Sequence, residues 1–395
     1  MSERLYLTEP DLLDFDATVL ARHEHEGRPA VVLDRTAFYA ESGGQPWDTG
    51  TLDNATVVAV VEQAGEVLHV LDRPLTDDRV AGRVDAARRR DHVQQHHGQH
   101  LLSKAFVDTA RAQTTAFHLG ADTTTIDLDR PVTAEQARAA ETRANEIVWQ
   151  ARPVRVTLMT AAAARTEGLQ PPDGVEDEVR VVEAEGFDRQ PCGGTHPRRT
   201  SEVGVIVVNG LERYKGGTRV SFVCGQRALL SIARRQDVLD RLVSTLSAPL
   251  DELVAAAQKA KEDLVEGERR AKGLLERAID GDARRLLAEA QAGETPGLVV
   301  AALDGWTAND LRLLAQRLVA LAPCVALLGG RSDKAHLVFA QSDGLPHDVP
   351  ALLKAAVERL GGRGGGRGNL AQGGGDRLDR LDEALAQAVA TVRGR

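Results

Sequence analysis

Two short motifs, almost a hundred residues apart, carry side chains that together could hold a metal ion. Residues 96–100 read His-His-Gly-Gln-His, and residues 192–196 read Cys-Gly-Gly-Thr-His. Imidazole and thiolate are ligands that Zn²⁺ prefers. An H-x-x-x-H pair on a helix projects both imidazoles from one face, and two glycines let the backbone turn tightly between a cysteine and a histidine. The two motifs together predict a zinc site that takes ligands from both segments.

The register of the histidine ligands stays open on spacing alone, because four of the eleven histidines fall between residues 92 and 100. His92 and His96 share the same helical spacing and form a competing pair. His97 points about a quarter-turn away, which suits a residue beside the ligands or one facing RNA. The role of the metal is open as well, since structural zinc has four protein ligands whereas catalytic zinc keeps a position for water.

The charge balance limits the classes of partner. The chain has 58 acidic and 49 basic residues and a net charge of −9, which argues against a general nucleic-acid binder. A local basic stripe can still dock phosphates on an acidic protein. The candidates, each of which would otherwise be ordinary solvated surface, are Arg88–Arg90, Arg198 with Arg199, Arg213 with Lys215, and the Arg-Gly stretch near residue 363.

The composition indicates a cytoplasmic protein without membrane association. Three cysteines cannot form a disulfide framework, and the first ten residues do not resemble a signal peptide. No stretch approaches the roughly 20 apolar residues that a membrane span needs.

Four domains are predicted from the changes in pattern along the chain. Residues 1–90 contain short, partly β-branched runs between turn residues, which predicts a β-barrel or sheet. Residues 91–225 begin with a helix at Asp91 and continue as mixed α/β. Residues 226–292 predict two long helices divided at Pro249, with Ser247 as an N-cap. These helices form either a hairpin or coiled-coil arm or a layer packed on their own domain. Residues 293–395 predict a small α/β domain.

A glycine-rich stretch lies within the last domain. Nine of the fifteen residues from 361 to 375 are glycine. Such a stretch is either a low-complexity linker or a loop whose backbone N–H groups approach an anion. No G-K-[ST] follows it, so it is not a P-loop.

Four motifs in this order resemble those of the freestanding alanyl-tRNA editing proteins of the long AlaX type. These proteins are similar to the editing and C-terminal parts of alanyl-tRNA synthetase. Residues 38–50 resemble the glycine-bearing N-terminal motif, and residues 96–102 resemble H-x-x-x-H-L-L. Residues 192–196 match C-G-G-T-H, followed by the fitting segment 202–204, and residues 364–375 resemble the glycine loop of the DHHA1 domain.

The resemblance implies a fold and an activity. The fold is α+β and multidomain: an N-terminal β-barrel, an α/β zinc-binding editing domain, a helical hairpin or coiled-coil linker, and a small DHHA1-type α/β domain. The activity is zinc-dependent hydrolysis of the ester of tRNA(Ala) mischarged with serine, with glycine as a second candidate. The implied zinc ligands are His96, His100, Cys192 and His196, which decides against His92.

The residues suggest how such a site would select serine. Alanine lacks a hydroxyl, so buried polar groups that form hydrogen bonds with the serine Oγ would discriminate against alanine. Thr114 and Thr115 are the candidates for this contact, although β-propensity alone explains threonines there. His118 is a candidate for proton transfer. The further residues predicted near the substrate are Gln45, Asp48, Gly193, Gly194 and Thr195.

Several alternatives accompany this interpretation. Gln45 and Asp48 would close the pocket or touch the terminal adenosine, or they belong to a tight hairpin in which Gly43 and Gly44 supply positive φ. A zinc-stabilised tRNA-binding scaffold without catalysis is the second functional hypothesis. A homodimer through the C-terminal half is expected, with the helix at 250–290 as its element. The predicted RNA contacts are Arg198, Arg199, Lys215, Arg363 and Arg367.

Overall fold

The structure is a computed structural model that describes residues 2–171, 178–291 and 296–394. The chain divides into two compact units, residues 1–242 and residues 243–395, which are described separately below. The predicted boundary between residues 292 and 293 lies outside the described residues.

The first unit opens with a closed barrel. Six strands close it in the order β2-β3-β7-β6-β5-β8, while β1 and β4 form a separate parallel pair. Alternate residues of β2 are buried, as expected for a strand with one face toward a core, and Phe15 and Phe38 meet inside. The strands are β1 (Glu3–Arg4), β2 (Asp14–His25), β3 (Arg28–Leu33), β4 (Arg35–Thr36), β5 (Gly50–Leu52), β6 (Ala55–Gln63), β7 (Glu66–Leu71) and β8 (Arg79–Val84).

A long helix and two small sheets complete this unit. The four-stranded sheet has the order β14-β15-β10-β9 and packs one face on α1 and α2, and a three-stranded sheet has the order β11-β12-β13. The elements are α1 (Ala86–Ala110), β9 (Thr114–Leu119), β10 (Thr124–Leu128), α2 (Ala134–Trp149), β11 (Val154–Met159), α3 (Ala161–Thr166), β12 (Val179–Ala184), β13 (Asp188–Pro191), β14 (Ile206–Tyr214), β15 (Gly217–Cys224) and α4 (Gly225–Leu246).

Helix α1 begins at Ala86, five residues before the predicted start at Asp91. The Asp85 carboxylate caps the helix by accepting hydrogen bonds from the backbone N–H groups of Ala87 and Arg88. The helix ends where Arg111 adopts a left-handed conformation, with φ of 54°. The early start adds the turn that carries Arg89, which joins the helix to the barrel.

The second unit contains a mixed five-stranded sheet with the order β16-β17-β18-β20-β19. Its elements are α5 (Leu253–Gln291), β16 (Gly297–Asp304), α6 (Ala308–Leu321), β17 (Cys324–Arg331), β18 (Ala335–Gln341), α7 (Val349–Arg359), β19 (Arg363–Arg367), β20 (Leu370–Gly375) and α8 (Leu381–Val392). The last turns of α5 pack Ile279, Ala283 and Leu286 against α6 and the sheet, whereas Leu264 is exposed. This end of α5 is therefore packed on its own domain.

The prediction of a glycine loop was wrong, because the stretch forms the hairpin of β19 and β20. Glycine is required here by close packing. A Cβ at Gly364 would lie 2.8 Å from the Gly373 Cα, and a Cβ at Gly373 would lie 2.8 Å from Cγ2 of Val357 on α7. The helix thus lies almost directly on the backbone of the hairpin.

Ser247 was also assigned wrongly as an N-cap. It has a φ of 49° and follows the last residue of α4, so it lies in the left-handed conformation that commonly ends a helix. None of the helices within the described residues is long and apolar enough to cross a membrane.

We predict that His69 on β7 makes the barrel sensitive to acid. Its Nδ1–H donates to the carbonyl of Val31 and its Nε2 accepts from the Thr36 hydroxyl at 2.7 Å, so the buried ring is neutral. Burial lowers the pKa of His69 from 6.5 to about 4. The unfolded chain therefore binds more protons between these values, and up to about 3 kcal/mol of stability is lost as the pH falls from 6.5 to 4.

The measurement is the free energy of urea unfolding at several pH values, followed by Trp47 fluorescence with Trp149 and Trp306 replaced by Phe. His69→Gln should flatten this dependence while lowering stability at neutral pH. If the free energy of unfolding changed with pH by the same amount in the wild type and in His69→Gln, the assignment to His69 would be contradicted.

Candidate metal centre and adjoining cavity

Three imidazoles and one thiol converge at the junction of α1 and the turn that follows β13. The ligand atoms of His96, His100, Cys192 and His196 all lie within 4.8 Å of one another. Nε2 of His96 and Nε2 of His196 lie 3.1 Å and 3.2 Å from the Cys192 Sγ. A tetrahedral zinc site has ligand atoms about 3.3–3.8 Å apart, given its bond lengths. The donor set and its spacing fit a zinc ion after small side-chain adjustments.

The electrostatics of this group favour a thiolate. Burial alone would raise the pKa of the Cys192 thiol, but His96, His196 and His100 outweigh it, and the pKa falls well below its usual range. Burial lowers the pKa of His196 to about 3, which leaves that ring neutral. Burial would also lower the pKa of His100, but the Cys192 thiolate and Asp188 outweigh it and raise that pKa to about 10. A thiolate and neutral imidazoles are the forms that bind metal, so a metal ion would displace a proton from His100.

Hydrogen bonds behind the ligands fix the orientation of two rings. Nδ1 of His100 donates to the Asp188 carboxylate at 3.2 Å, which leaves Nε2 free to face the thiolate. Nδ1 of His196 lies 2.9 Å from Nδ1 of His97, so one of these nitrogens donates to the other. His97 is buried and supports a ligand, and it does not face a partner across the surface. His92, although also buried, lies outside the group.

The Cys-Gly-Gly-Thr-His turn is held by backbone contacts and close packing. Arg180 on β12 donates from Nη1 to the carbonyls of Cys192 at 2.7 Å and Gly194 at 3.0 Å. Neither Gly193 nor Gly194 has a positive φ, so the tight turn that the glycines were expected to allow is not their function. The His96 ring instead lies against Gly194, where a Cβ would be 2.4 Å from its Cε1.

A hairpin of the barrel also holds this turn. Gln45 donates from Nε2 to the Thr195 hydroxyl at 2.9 Å, and its Oε1 accepts from the Thr195 N–H. Both side chains are fully buried. Gly43 and Gly44 have φ of 55° and 82°, which makes the tight hairpin that was the structural alternative for this motif. Gln45 and Thr195 therefore position the turn from inside the protein.

Asp48 is likewise inside the protein. Its Oδ2 accepts from the Tyr39 N–H at 2.8 Å and from Nε of Arg89 at 3.0 Å, and the carboxylate has no exposed surface. Arg89 also donates to the carbonyls of Pro10 and Ala37. This buried ion pair anchors the first turns of α1 on the barrel.

A cavity of about 460 Å³ opens beside His100. Its wall contains Asp188 and Gln190, which both contact Nδ1 of that ring. A chain of hydroxyl and amide groups lines another part of the wall: the Ser103 hydroxyl accepts from Gln99 at 2.9 Å and from Thr114 at 2.6 Å. The cavity is therefore polar on two sides and adjoins a candidate ligand.

Strand β9 brings two of the predicted residues to the cavity and leaves a third exposed. Phe117 faces α1, where its ring centroid lies 5.5 Å from that of His96. His118, its neighbour, is exposed on the opposite face and is not brought to the ligands. Thr114 and Thr115 both line the cavity, but the Thr115 hydroxyl donates to the Asp127 carbonyl.

The predicted RNA contacts are exposed side chains in separate places. Arg198 pairs with Asp11, and Arg199 donates to the Ala151 carbonyl at 3.2 Å. Lys215 lies at the tip of the β14–β15 hairpin, and Arg363 and Arg367 lie on the edge strand of the second unit.

Sequence reasoning missed the residues that surround the ligands. Asp188, Gln190 and Cys192 recur at every second position, a strand period that could have revealed one common face. Gln99 and Ser103 are four residues apart on α1, which also predicts a shared face. Arg180 lacked any such signal, because its contacts are to backbone carbonyls distant along the chain.

Three family models match the chain in order. The model described as tRNA synthetases class II (A) matches residues 12–88, and the threonyl and alanyl tRNA synthetase second additional domain matches residues 179–221. The DHHA1 domain matches residues 295–394. The barrel and the strands around the ligand turn thus match models of aminoacyl-tRNA synthetases, and the second unit matches the DHHA1 domain.

The relatives define the class more closely. The alanyl-tRNA editing protein AlaX-L of Pyrococcus horikoshii is 29% identical over 94% of both chains. The alanyl-tRNA editing protein Aarsd1-B of Xenopus laevis is 34% identical over 59% of this chain and 58% of its own. The alanine–tRNA ligase of Natronomonas pharaonis is 32% identical over 99% of this chain, which spans only 44% of the ligase.

The order of these matches is similar to that of the editing-type and DHHA1 parts of an alanyl-tRNA synthetase. Over nearly its whole length the chain is similar to an alanyl-tRNA editing protein of the long AlaX type. Among solved structures, the C-Ala domain of Aquifex aeolicus alanyl-tRNA synthetase is 29% identical and covers 22% of this chain and 84% of that chain, with a TM-score of 0.22.

We predict that Gly194→Ala weakens metal binding by about 10- to 100-fold, which is the loss of affinity seen when groups that orient metal ligands are removed. The added methyl group would displace the His96 ring that packs on Gly194. The measurement is competition with a chromogenic chelator, together with the absorbance of the Co²⁺-substituted protein.

Gly193→Ala is the matched control, because a Cβ there meets nothing within 4 Å. It should retain metal affinity. Equal affinity in both variants would show that the contact with His96 does not matter.

Proposed function

We propose that the chain is a zinc-dependent deacylase that hydrolyses the ester of tRNA(Ala) mischarged with serine, and also accepts glycine. The observation that carries this proposal is the polar cavity beside His100, next to a donor set suited to zinc. The editing proteins among the relatives support the reaction class.

The ligand residues would be His96, His100, Cys192 and His196. Zinc bound there would supply Lewis acidity for attack of water on an ester that is already activated. Asp188 holds the Nδ1 proton of His100 and so keeps Nε2 directed at the ion's position. Phe117 packs against the His96 ring and also lines the cavity, so it forms an apolar part of the wall next to this ligand.

Selection of serine would depend on the hydroxyl chain in the cavity wall. Ser103 accepts from both Gln99 and Thr114, so its own proton remains to be donated. The Thr114 oxygen retains lone pairs that can accept from a substrate hydroxyl. Serine satisfies these groups and alanine leaves them unpaired, which is the kind of difference that gives strong discrimination.

A second candidate function is a zinc-stabilised RNA-binding protein without catalysis. The specific observation in its favour is that four protein side chains share one point, as in closed structural zinc sites. The cavity beside His100 favours the first proposal, because a structural site needs no adjoining polar cavity.

The first test compares the wild type and His100→Ala on Ser-, Gly- and Ala-tRNA(Ala). The wild type should deacylate the first two and largely spare the third, and the variant should lose zinc and activity together. A chelator should abolish wild-type activity and added zinc should restore it. If zinc-loaded wild type leaves Ser-tRNA(Ala) intact, the scaffold hypothesis replaces the deacylase.

The second test concerns specificity. Thr114→Val should lower kcat/KM for Ser-tRNA(Ala) by about 10- to 100-fold, since one hydrogen bond to the serine hydroxyl is lost and its neighbour is left unpaired. Thr109→Val is the control, because the Thr109 hydroxyl donates to the Ala105 carbonyl of its own helix. Equal kinetics for the two variants would remove Thr114 from the serine contact.

A further inference from the structure

The tip of the β14–β15 hairpin carries an ordered group of aromatic and cationic side chains. Lys215 and Gly216 form its two-residue turn, with φ of 46° and 83°, and Tyr214 pairs with Gly217 across it. Positive φ at both turn positions defines a tight hairpin whose geometry is well fixed.

Two cations lie over the Tyr214 ring. The guanidinium carbon of Arg219 is 3.7 Å from the ring centroid, and the Lys215 Nζ is 5.1 Å from it. The Asp127 carboxylate fixes the guanidinium by accepting from Nε at 2.7 Å and from Nη2 at 2.8 Å. We call Tyr214, Lys215, Arg219 and Asp127 the Tyr214 platform.

The side chains of the platform are held in place by contacts within the protein, and part of their surface is exposed to solvent. The Arg219 side chain is 31% exposed, and Lys215 is exposed at the turn. A bidentate carboxylate holds the guanidinium plane, so little side-chain freedom remains to be lost when a planar group stacks on the pair.

The platform is continuous with the cavity through the sheet. Asp127 lies opposite Arg219 on one side and opposite Ala116 on the other. Ala116 and Thr115 line the cavity, and the Thr115 hydroxyl donates to the Asp127 carbonyl. Two strand spacings, about 10 Å, therefore separate Arg219 from the cavity wall.

The chemistry of the platform suits a nucleotide. Arginine and tyrosine planes stack on bases without regard to sequence, and a lysine beside them offers a positive charge to a phosphate. Lys215 is exposed at the turn and forms no ion pair within the part of the chain that the structure describes, so its charge remains available to a phosphate although the net charge of the chain is −9.

We propose that the Tyr214 platform binds an unpaired nucleotide of the substrate RNA, close to the esterified end that occupies the cavity. This inference rests on the proposed function for the identity of the RNA. The platform would bind the RNA and the cavity would hold the ester, so RNA binding and ester hydrolysis can be measured separately.

The experiment measures the Kd for uncharged tRNA(Ala) by filter binding at several salt concentrations, and kcat/KM for the small ester seryl-adenosine. Tyr214→Leu should weaken tRNA binding about 10-fold, within the range for loss of one stacked base, whereas Tyr214→Phe should keep it. Lys215→Gln should weaken binding and reduce the slope of log K against log salt by about one. The small ester should be hydrolysed equally by all of these proteins.

Arg28→Gln is the matched control, because it removes one exposed positive charge at the β2–β3 turn. It should leave both measurements unchanged. Wild-type tRNA affinity in both Tyr214→Leu and Lys215→Gln would overturn the inference, and so would an equal loss of small-ester hydrolysis. Failure of the wild type to hydrolyse either ester would refute the proposed function, while the binding data would still decide the platform.

Discussion

The packing of the half-buried Cys192 thiolate among three imidazoles is the constraint on which the ligand turn and its surroundings depend. A charge taken out of water is costly unless it is paired and hydrogen-bonded. Here His96 and His196 approach the sulfur directly, and the Gly194 N–H points at it from 3.4 Å. Such an arrangement tolerates little displacement, because each group that moves away leaves part of the charge uncompensated. The surrounding structure accordingly fixes the ligand turn from several directions, through Arg180, through Gln45 and through the packing of His96 on Gly194.

The barrel is part of the site although it contributes no ligand. Gln45 reaches from a barrel hairpin to the buried Thr195, and Asp48 of the same segment holds Arg89 at the start of α1. One loop therefore sets the position of both ligand-bearing elements. A buried ion pair is weak evidence for stability, but its removal on one side is strongly destabilising. The contacts of the Asp48–Arg89 pair are uneven: Tyr39 and Arg89 both donate to Oδ2 of Asp48, the Arg89 guanidinium also donates to the carbonyls of Pro10 and Ala37, and the buried Oδ1 of Asp48 has no hydrogen-bond partner among the described residues. These contacts fix the orientation of α1 relative to the barrel.

Helices and strands that follow from the spacing of apolar residues could be predicted from the sequence. Features that depend on tertiary contacts were missed. The strands within residues 1–90, a helix starting near Asp91 and two long helices on either side of Pro249 were predicted, because apolar spacing is local information. The i, i+4 histidines and the Cys-x-x-x-His turn were also visible. The hairpin of β19 and β20 was not, since glycine has no strand preference and is selected there only by the approach of α7. Asp188 and Arg180 were missed for the same reason, as their partners lie far along the chain.

The position of the cavity bears on what a four-ligand metal site can do. It adjoins the Nδ1 side of His100, where Asp188 and Gln190 contact the ring, and Phe117, which packs against His96, lines it as well. A second cavity, of about 380 Å³, has His196 in its wall. A substrate in the first cavity would approach the group from the side of His100 and His96. The Gln99–Ser103–Thr114 chain stands at that same opening, so the groups that would recognise a side-chain hydroxyl and the point of hydrolysis share one approach. In the proposed reaction, an amino acid that lacks the hydroxyl leaves Ser103 and Thr114 unpaired at the moment when its ester nears the ligands. Recognition of the side-chain hydroxyl and hydrolysis of the ester would then take place in the same cavity. The ligand turn would not have to move between the two events.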